Sequence, residues 1–171
     1  MPNIRPLNSE YAEYYGVYIE QVPDGAILDI LSAQRNETRD FLGSIPQAKA
    51  GHRYAPGKWT VSDVLGHVID AERVFGFRAL HIARAASGDI PGMDQDEFAS
   101  AAPYGNRSLA SIARELDLLR AANVEQFSAW DWVTLDRVGI ASGATFSVRA
   151  LLYILAGHER HHMRILRERY L

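Results

Sequence analysis

Two histidines one helical turn apart stand near the carboxyl end of the sequence, in a stretch without proline. His158 and His162 fall on one stripe with Leu151, Leu155 and Ile165, at spacings of four and three residues. Such a stripe normally faces the core of a helical protein. Rings at positions i and i+4 can converge on one point, and neutral imidazole is a common metal ligand. The pair therefore predicts a metal site, with two hydrogen-bonded core histidines as the alternative.

The surrounding residues also match a zinc protease pattern, but their context is unsuited to a protease. Residues 158–162 read H-E-R-H-H, which fits the H-E-x-x-H pattern of zinc metalloproteases. The extended form of that pattern needs a third histidine six residues after the second, and Glu168 stands there. Only nine residues follow His162, which is too short a segment to build the rest of a protease cleft. Any third ligand must therefore come from upstream.

Composition narrows the classes of function. The 171 residues are 47% hydrophobic and 23% charged, which predicts a single globular domain over residues 1–171. A net charge of −3 disfavours specific nucleic-acid binding. Because there is no cysteine, any thiol chemistry must use a thiol brought by a cosubstrate. No signal-peptide pattern and no apolar run of membrane-spanning length are found, so we expect a cytoplasmic protein that does not enter a membrane.

Four long amphipathic segments are separated by loops rich in glycine and proline. Together they predict an all-α four-helix bundle with long inter-helix loops, preceded by an extended, tyrosine-rich N-terminal arm over residues 1–23. The arm is expected to pack over the bundle through Tyr14, Tyr15 and Tyr18. The predicted helices span about 25–43, 60–87, 108–128 and 147 to the C-terminus, with a short helix near 95–101 and a possible hairpin within 130–145.

Polar residues at the starts of these segments predict helix caps. Asp24, Ser108 and Ser147 each precede a predicted helix, as N-cap residues do. Thr60 is followed three residues later by Asp63, which forms a capping-box pattern.

The best candidate for a third metal ligand is His67 on the second predicted helix. It lies at the edge of an apolar face, between Val64 and Ala71, and two acids that could orient it follow, Asp70 and Glu72. Three histidines would leave one coordination position open for water or substrate, as catalytic zinc sites commonly do. The two upstream histidines that remain are less suitable: His52 falls in a loop, and His81 sits further along the helix among apolar residues.

His161 is the rival to His162, because i, i+3 pairing with His158 is also possible. The neighbours of His161 at helical spacing include Arg164 and Glu168, which indicate a more solvent-exposed face of the helix. The neighbours of His162 are apolar. We therefore prefer His162 as the ligand.

Two stretches resemble the DinB-like superfamily, which includes YfiT-type proteins. They are Trp59-Thr-Val-Ser-Asp-Val-Leu-Gly-His67-Val-Ile-Asp-Ala-Glu72-Arg and the segment from Ser147 to His162 that ends in Gly-His158-Glu-Arg-His-His162. The shared motif is one histidine on the second helix and H-x-x-x-H on the fourth, and the likeness runs from the first helix to the C-terminus.

The resemblance implies more than the spacing of the histidines does. It implies a four-helix bundle that binds a divalent metal, often zinc or nickel, through His67, His158 and His162. Iron, copper or manganese are further possibilities, since cellular supply often decides which metal is bound. The resemblance also implies a homodimer. Some members are thiol S-transferases or isomerases that use a small thiol such as bacillithiol or mycothiol, and others are assigned as metal-dependent hydrolases.

These implications leave three hypotheses open. In the first, the metal lowers the pKa of a cosubstrate thiol and presents a thiolate to an electrophile. In the second, the metal activates water for hydrolysis, with Glu159 or Asp70 as general base. A solvated Glu159 paired with an arginine such as Arg160 or Arg164 is the alternative to that role, and a solvated carboxylate is likewise the alternative for Asp70 and Glu72. In the third, the protein is a stress-related binding module, in which a metal with closed coordination ties two helices together.

Overall fold

The computed structural model describes residues 4–171, and within them it confirms the predicted four-helix bundle. Its helices, in chain order, are α1 (Gly16–Ile19), α2 (Ile27–Gly43), α3 (Val61–Ala83), α4 (Gln95–Ala101), α5 (Leu109–Ser128), α6 (Trp132–Leu135) and α7 (Val148–Ile165). The long helices α2, α3, α5 and α7 form the bundle. A π-helical turn, Leu166–Tyr170, continues α7 to the end of the chain. Strands β1 (Val138–Ala141) and β2 (Ala144–Ser147) pair antiparallel, which confirms the predicted hairpin.

Most of the predicted caps are confirmed. Thr60 and Asp63 form the capping box at the start of α3, and the hydroxyls of Ser108 and Ser147 accept hydrogen bonds from the first turns of α5 and α7. The prediction for Asp24 is wrong. Helix α2 begins behind Ala26, and the Asp24 carboxylate instead pairs with Arg5 at 3.4 Å.

The N-terminal arm is not extended as predicted. Its first three residues lie outside the described part of the chain, and residues 4–23 contain two 3-10 turns, Asn8–Glu10 and Glu13–Tyr15, followed by α1. The predicted packing is confirmed for Tyr15, whose ring lies edge-on to Phe75 and Phe146. It is also confirmed for Tyr18, which is buried, whereas Tyr14 is 65% exposed. The arm therefore covers the bundle as a series of short helical turns.

Helix α3 ends at Ala83 rather than near residue 87. Ala85 has a φ of 52°, a conformation outside the right-handed helix, so the helix stops before it.

Close contacts made possible by glycine hold α3 and α7 in place. Gly157 on α7 faces the backbone of α1, and a Cβ at Gly157 would lie 2.0 Å from the carbonyl oxygen of Tyr18. Gly66 on α3 faces the ring of Tyr104, and a Cβ there would lie 2.2 Å from that ring. Each glycine directly precedes one of the histidines predicted to bind metal. The backbone next to His67 and His158 is therefore closely packed against its neighbours.

Helix α5 packs against α2 and α3 and completes the bundle. Its buried side chains include Ile112, Leu116 and Phe127, and also one charged residue, Arg120. Among the described residues, no helix is long and apolar enough to cross a bilayer.

Candidate metal centre

The structure brings His67, His158 and His162 together between α3 and α7; we call these three residues the histidine cluster. Their ligand atoms all lie within 4.8 Å of one another, and the Nε2 atoms of His67 and His158 are 3.0 Å apart. His158 and His162 lie one turn apart on α7, and His67 faces them from α3. Two helices far apart in sequence therefore supply one polar site.

Burial keeps these imidazoles uncharged at neutral pH. Desolvation lowers the pKa of His67 to about 4. It also lowers the pKa of His162 to about 3, with a further contribution from the neighbouring His67 and His161. The pKa of His158 falls well below its ordinary value for the same reasons. Because metal ligation requires neutral imidazole, the cluster is in the protonation state that a cation needs.

The spacing suits one divalent cation. Nitrogen ligands at 2.0–2.1 Å from a tetrahedral metal lie about 3.3 Å from one another. The 3.0 Å separation between the Nε2 atoms of His67 and His158 is close to that value, and the ligand atom of His162 lies within 4.8 Å of both. The three imidazoles are thus a donor set suited to a divalent metal.

Aromatic rings surround the cluster and shield it from water. The ring of Trp59, just before α3, lies 5.0 Å from that of His67. Phe75 from α3 and Tyr18 from α1 lie edge-on to His158, at 5.8 and 5.3 Å between ring centroids. These contacts explain the desolvation that lowers the histidine pKa values.

One side of the cluster opens into a cavity of about 280 Å³, which we call the metal-side cavity. His162 lies in its wall, together with Trp59 and Tyr170. Asp96 on α4 also lines it, and the charge of this carboxylate acts on His67 in the direction that raises its pKa. No fourth His, Asp or Glu of residues 4–171 joins the three ligand atoms. A small molecule entering this cavity would therefore approach the cluster directly.

His161 is not one of the converging ligands, although its ring lies edge-on to that of His162 at 5.1 Å between centroids. Its Nδ1 is 3.5 Å from Nε2 of Gln21, and its ring is edge-on to Tyr18. Since the cluster contains His162 and not His161, the geometry agrees with our preference for His162. The assignment of these histidines as ligands stays a prediction until a metal is measured.

Glu159 lies in a second polar cluster. Its carboxylate is 2.5 Å from the Arg120 guanidinium and accepts a hydrogen bond from the Thr38 hydroxyl. Arg120 also binds Glu72 through two hydrogen bonds of 2.8 and 2.7 Å. Asn123 donates a further hydrogen bond to Glu72. We call Glu72, Arg120 and Glu159 the arginine cluster. All three are buried, and desolvation raises the pKa of Glu159.

These contacts change how the nearby acids are interpreted. Glu159 is buried and paired with Arg120, so the alternative of a solvated Glu159 paired with Arg160 or Arg164 is wrong. Its role as a general base stays a prediction, although its carboxylate is already held by α5 and α2. Asp70 accepts a hydrogen bond from the Tyr104 hydroxyl at 3.0 Å, and burial raises its pKa. Neither carboxylate lines the metal-side cavity.

The remaining two histidines lie outside the cluster, as expected. His52 is exposed in the loop before α3. His81 is half-buried and packs on Phe77.

Sequence reasoning missed two residues near the site. Asp96 falls in the short helix predicted near residues 95–101, and no role was predicted for it. An acidic residue in a segment that covers a bundle is the signal that could have identified it. Arg120 gave a stronger signal, because an arginine stood among the buried positions of an amphipathic helix. Buried arginines are almost always paired, so an acidic partner in the core could have been expected.

Comparisons with known proteins agree with this architecture. The family model of the DinB superfamily matches residues 30–166. The solved structure of YfiT from Bacillus subtilis superposes with a TM-score of 0.72 at 14% sequence identity, covering 98% of this chain and 92% of YfiT. YfiT is described as "a probable metal-dependent hydrolase with an unusual four-helix bundle topology". No curated protein sequence matches significantly. Since the family model covers most of the bundle, including all three clustered histidines, the chain belongs to the DinB superfamily.

Proposed function

We propose that this protein is a divalent-metal-dependent enzyme whose metal is held by His67, His158 and His162. The observation that carries the proposal is the convergence of three neutral imidazoles beside a cavity, without a fourth ligand among the described His, Asp and Glu residues. A closed, four-ligand site would favour a structural metal, whereas an open position favours chemistry. The non-enzymatic binding module is therefore the weaker hypothesis.

A divalent cation at this site supplies Lewis-acid chemistry, which lowers the pKa of a water or a thiol that binds there. The residues of the chain supply the surroundings. The uncharged histidines avoid repelling the cation, and the rings of Trp59 and Tyr170 line the cavity beside it. Zinc and nickel are the metals we expect first, because borderline metals suit imidazole ligands.

We favour thiol transfer, with a small thiol of the bacillithiol or mycothiol type as cosubstrate. The support comes from the family resemblance and from the absence of cysteine, which requires any thiol to come from outside. The engagement of Glu159 and Asp70 by other residues is a third support. A thiol ionises far more readily than water, so it depends less on a protein base.

Hydrolysis is the second candidate, and a specific observation favours it. The Asp96 carboxylate lines the same cavity as His162, which makes it the candidate general base. The description of YfiT points in the same direction. If hydrolysis is the activity, Asp96→Asn should lower the hydrolytic rate at least tenfold while the metal content stays unchanged.

The first test is metal content, measured by elemental analysis of protein purified without an affinity tag. We expect about one metal per chain in the wild type and loss of that metal in His67→Ala and His158→Ala. His161→Ala is the matched control, because it removes a neighbouring imidazole outside the cluster and should keep the metal. Retention of metal in His67→Ala would overturn the ligand set.

Activity assays then separate the two reactions. Metal-loaded protein is given an electrophile with and without a small thiol, and in parallel a panel of ester and amide substrates. Turnover that requires the thiol supports transfer, and turnover in its absence supports hydrolysis. The homodimer implied by the resemblance stays a prediction, which light scattering coupled to size-exclusion chromatography would test.

A further inference from the structure

A second cavity, larger than the metal-side cavity, lies elsewhere in the bundle. A groove of about 770 Å³ lies where α1, α2 and the end of α7 meet, and its volume falls in the range of small-molecule sites. None of His67, His158 and His162 lines it, and it shares no lining residue with the metal-side cavity. This groove is therefore a separate candidate binding site.

Three arginines give the groove its charge. Arg160, Arg164 and Arg167 follow one another at spacings of four and three residues, so they share a face at the end of α7. Two carboxylates, Glu37 and Glu168, also line the groove. We call it the arginine groove.

The ion pairs of these arginines are long. Arg160 lies 3.9 Å from Glu37, and Arg164 lies 4.0 Å from Glu168. Charge-assisted hydrogen bonds of arginine to carboxylate measure about 2.7–2.9 Å, so neither contact is a direct hydrogen bond. Both acids are mostly exposed, with relative side-chain accessibilities of 61% and 56%. The guanidinium groups thus keep most of their donors for another acceptor.

Arg167 is held differently. Its guanidinium carbon lies 3.9 Å from the centre of the Phe41 ring, which orients the guanidinium plane by stacking. Stacking uses the face of the group and leaves its N–H donors at the edge.

Two arginines elsewhere in the protein, Arg35 and Arg149, bind carboxylates directly. Arg35 binds Asp117 through two hydrogen bonds of 2.7 and 2.9 Å. Arg149 binds Glu10 at 2.8 and 2.9 Å. The fold is therefore capable of pairing its arginines directly, and the three in the groove are left without such a partner.

The rest of the groove suits the body of a small molecule. Val17 and Met163 provide apolar contact, and Gln21 and Thr38 provide neutral polar groups. A bidentate oxyanion is the chemical group that matches free guanidinium forks.

We propose that the arginine groove binds a small organic molecule through a carboxylate or phosphate group, at a site independent of the metal. Arg164 and Arg167 donate hydrogen bonds to the oxyanion, and Arg160 adds positive charge from the wall of the groove. The carbon skeleton of the ligand lies against Val17 and Met163. Such a site gives the protein a second ligand, beyond any substrate of the metal centre.

The test uses full-length, metal-free protein and two probes, inorganic phosphate and succinate. Isothermal titration calorimetry measures both affinities. We expect saturable one-to-one binding of at least one probe, and the probe that binds more tightly identifies phosphate or carboxylate as the preferred group. The double variant Arg164→Gln/Arg167→Gln should raise the dissociation constant at least tenfold. Arg164, near the end of α7, and Arg167, in the π-helical turn that follows, are both exposed, so their replacement leaves the core intact.

Two controls locate the binding. Arg169→Gln changes an arginine of the same final turn that lines the metal-side cavity instead, and it should leave the affinity unchanged. His158→Ala disrupts the histidine cluster and should also leave it unchanged. In ¹H–¹⁵N spectra, the side-chain amide signal of Gln21 should shift on titration of the wild type.

Three outcomes would overturn the proposal. One is the absence of saturable binding of both probes, which would mean that the arginines only offset the dipole at the end of α7. Another is binding that the double variant keeps. The third is binding that Arg169→Gln or His158→Ala abolishes, which would place the anion in the metal-side cavity.

Discussion

Two polar clusters lie in the bundle core and both join α3 to α7, yet only one of them contains charges of opposite sign. In the arginine cluster, the guanidinium of Arg120 contacts both Glu72 and Glu159, so buried charges meet buried countercharges. In the histidine cluster, burial holds three imidazoles in the neutral form with their ligand atoms within 4.8 Å. The charged groups of the arginine cluster find their partners within the protein, whereas the histidine cluster is suited to a cation that binds from outside.

The adjacent residues His158 and Glu159 make the difference concrete. His158 belongs to the histidine cluster. The carboxylate of Glu159 instead contacts Arg120 on α5 and accepts a hydrogen bond from Thr38 on α2. In a zinc protease, the same two motif positions serve one site. In this bundle the two side chains lie in different clusters. The contacts from neighbouring helices therefore determine the role of each residue more than the sequence motif does.

The largest effect we expect comes from removing the countercharge of the arginine cluster. Arg120→Met leaves the carboxylates of Glu72 and Glu159 buried without a cation. Breaking a buried ion pair in this way costs about 3–5 kcal/mol, so the free energy of unfolding should fall by that amount. Urea denaturation followed by circular dichroism measures it.

A matched variant and a compensated one sharpen this test. Arg114→Met changes an exposed arginine on the same helix and should alter stability by no more than about 0.5 kcal/mol. Replacing Glu72 and Glu159 by leucine in the Arg120→Met background should recover most of the loss, because no uncompensated charge then remains. An equal loss in Arg114→Met would show that the contrast between the clusters is wrong.

The next effect belongs to the histidine cluster and appears as pH dependence. The folded-state pKa values of His67 and His162 are about 4 and about 3, below the ordinary value of 6.5. Between these values the unfolded state binds more protons, so the stability of the metal-free protein falls as the pH falls. From pH 7 to pH 5, each of these histidines should remove about 2 kcal/mol from the free energy of unfolding.

Other groups titrate in the same range, so the measurement is a difference between variants. His67→Gln removes one of the buried groups, and its loss of stability from pH 7 to pH 5 should be smaller than that of the wild type by about 2 kcal/mol. His52→Gln removes an exposed histidine and should follow the wild type. If all three proteins show the same slope, His67 is not held neutral by burial.

A smaller effect tests how the backbone positions the histidine cluster. In Gly157→Ala, the added Cβ would lie 2.0 Å from the carbonyl oxygen of Tyr18, so α1 must move away from α7. Overpacking of this kind costs about 1–3 kcal/mol, and it should also weaken metal binding because Tyr18 packs on His158. Thermal unfolding and metal titration measure the two results. Gly43→Ala, where nothing lies within 4 Å, should be close to neutral.

Local patterns explain how much of the fold was predictable. The long helices have apolar stripes and side-chain caps at Thr60, Ser108 and Ser147, and these signals are complete within a few residues. The arm was not predictable in the same way. Its turns are stabilised by packing of Tyr15 on Phe75 and Phe146, which are distant in sequence.

The candidate site shows the same limit. The i, i+4 spacing of His158 and His162 predicted their convergence, and the apolar neighbours of His67 predicted its burial. The partner of Glu159 could not be predicted, since Arg120 reaches it from another helix. Asp96 was missed for a related reason, because its place beside His162 depends on how the loop that carries α4 folds back over α3.

The smallest effect we expect tests how much the Glu159 carboxylate contributes to the stability of the arginine cluster. Glu159→Gln removes one of two carboxylates that share a single guanidinium and leaves Arg120 paired with Glu72. Glutamine is neutral, keeps an oxygen that can accept from the Thr38 hydroxyl, and adds no unpaired buried charge. The free energy of unfolding at pH 7 should therefore change by less than about 1 kcal/mol, well below the loss in Arg120→Met, and the metal content should stay at the wild-type level. Urea denaturation and elemental analysis of the same preparation measure both results.

A loss of stability as large as that of Arg120→Met would mean that the second carboxylate is needed to hold Arg120 in the core. Loss of the metal would mean that the two clusters are not separate.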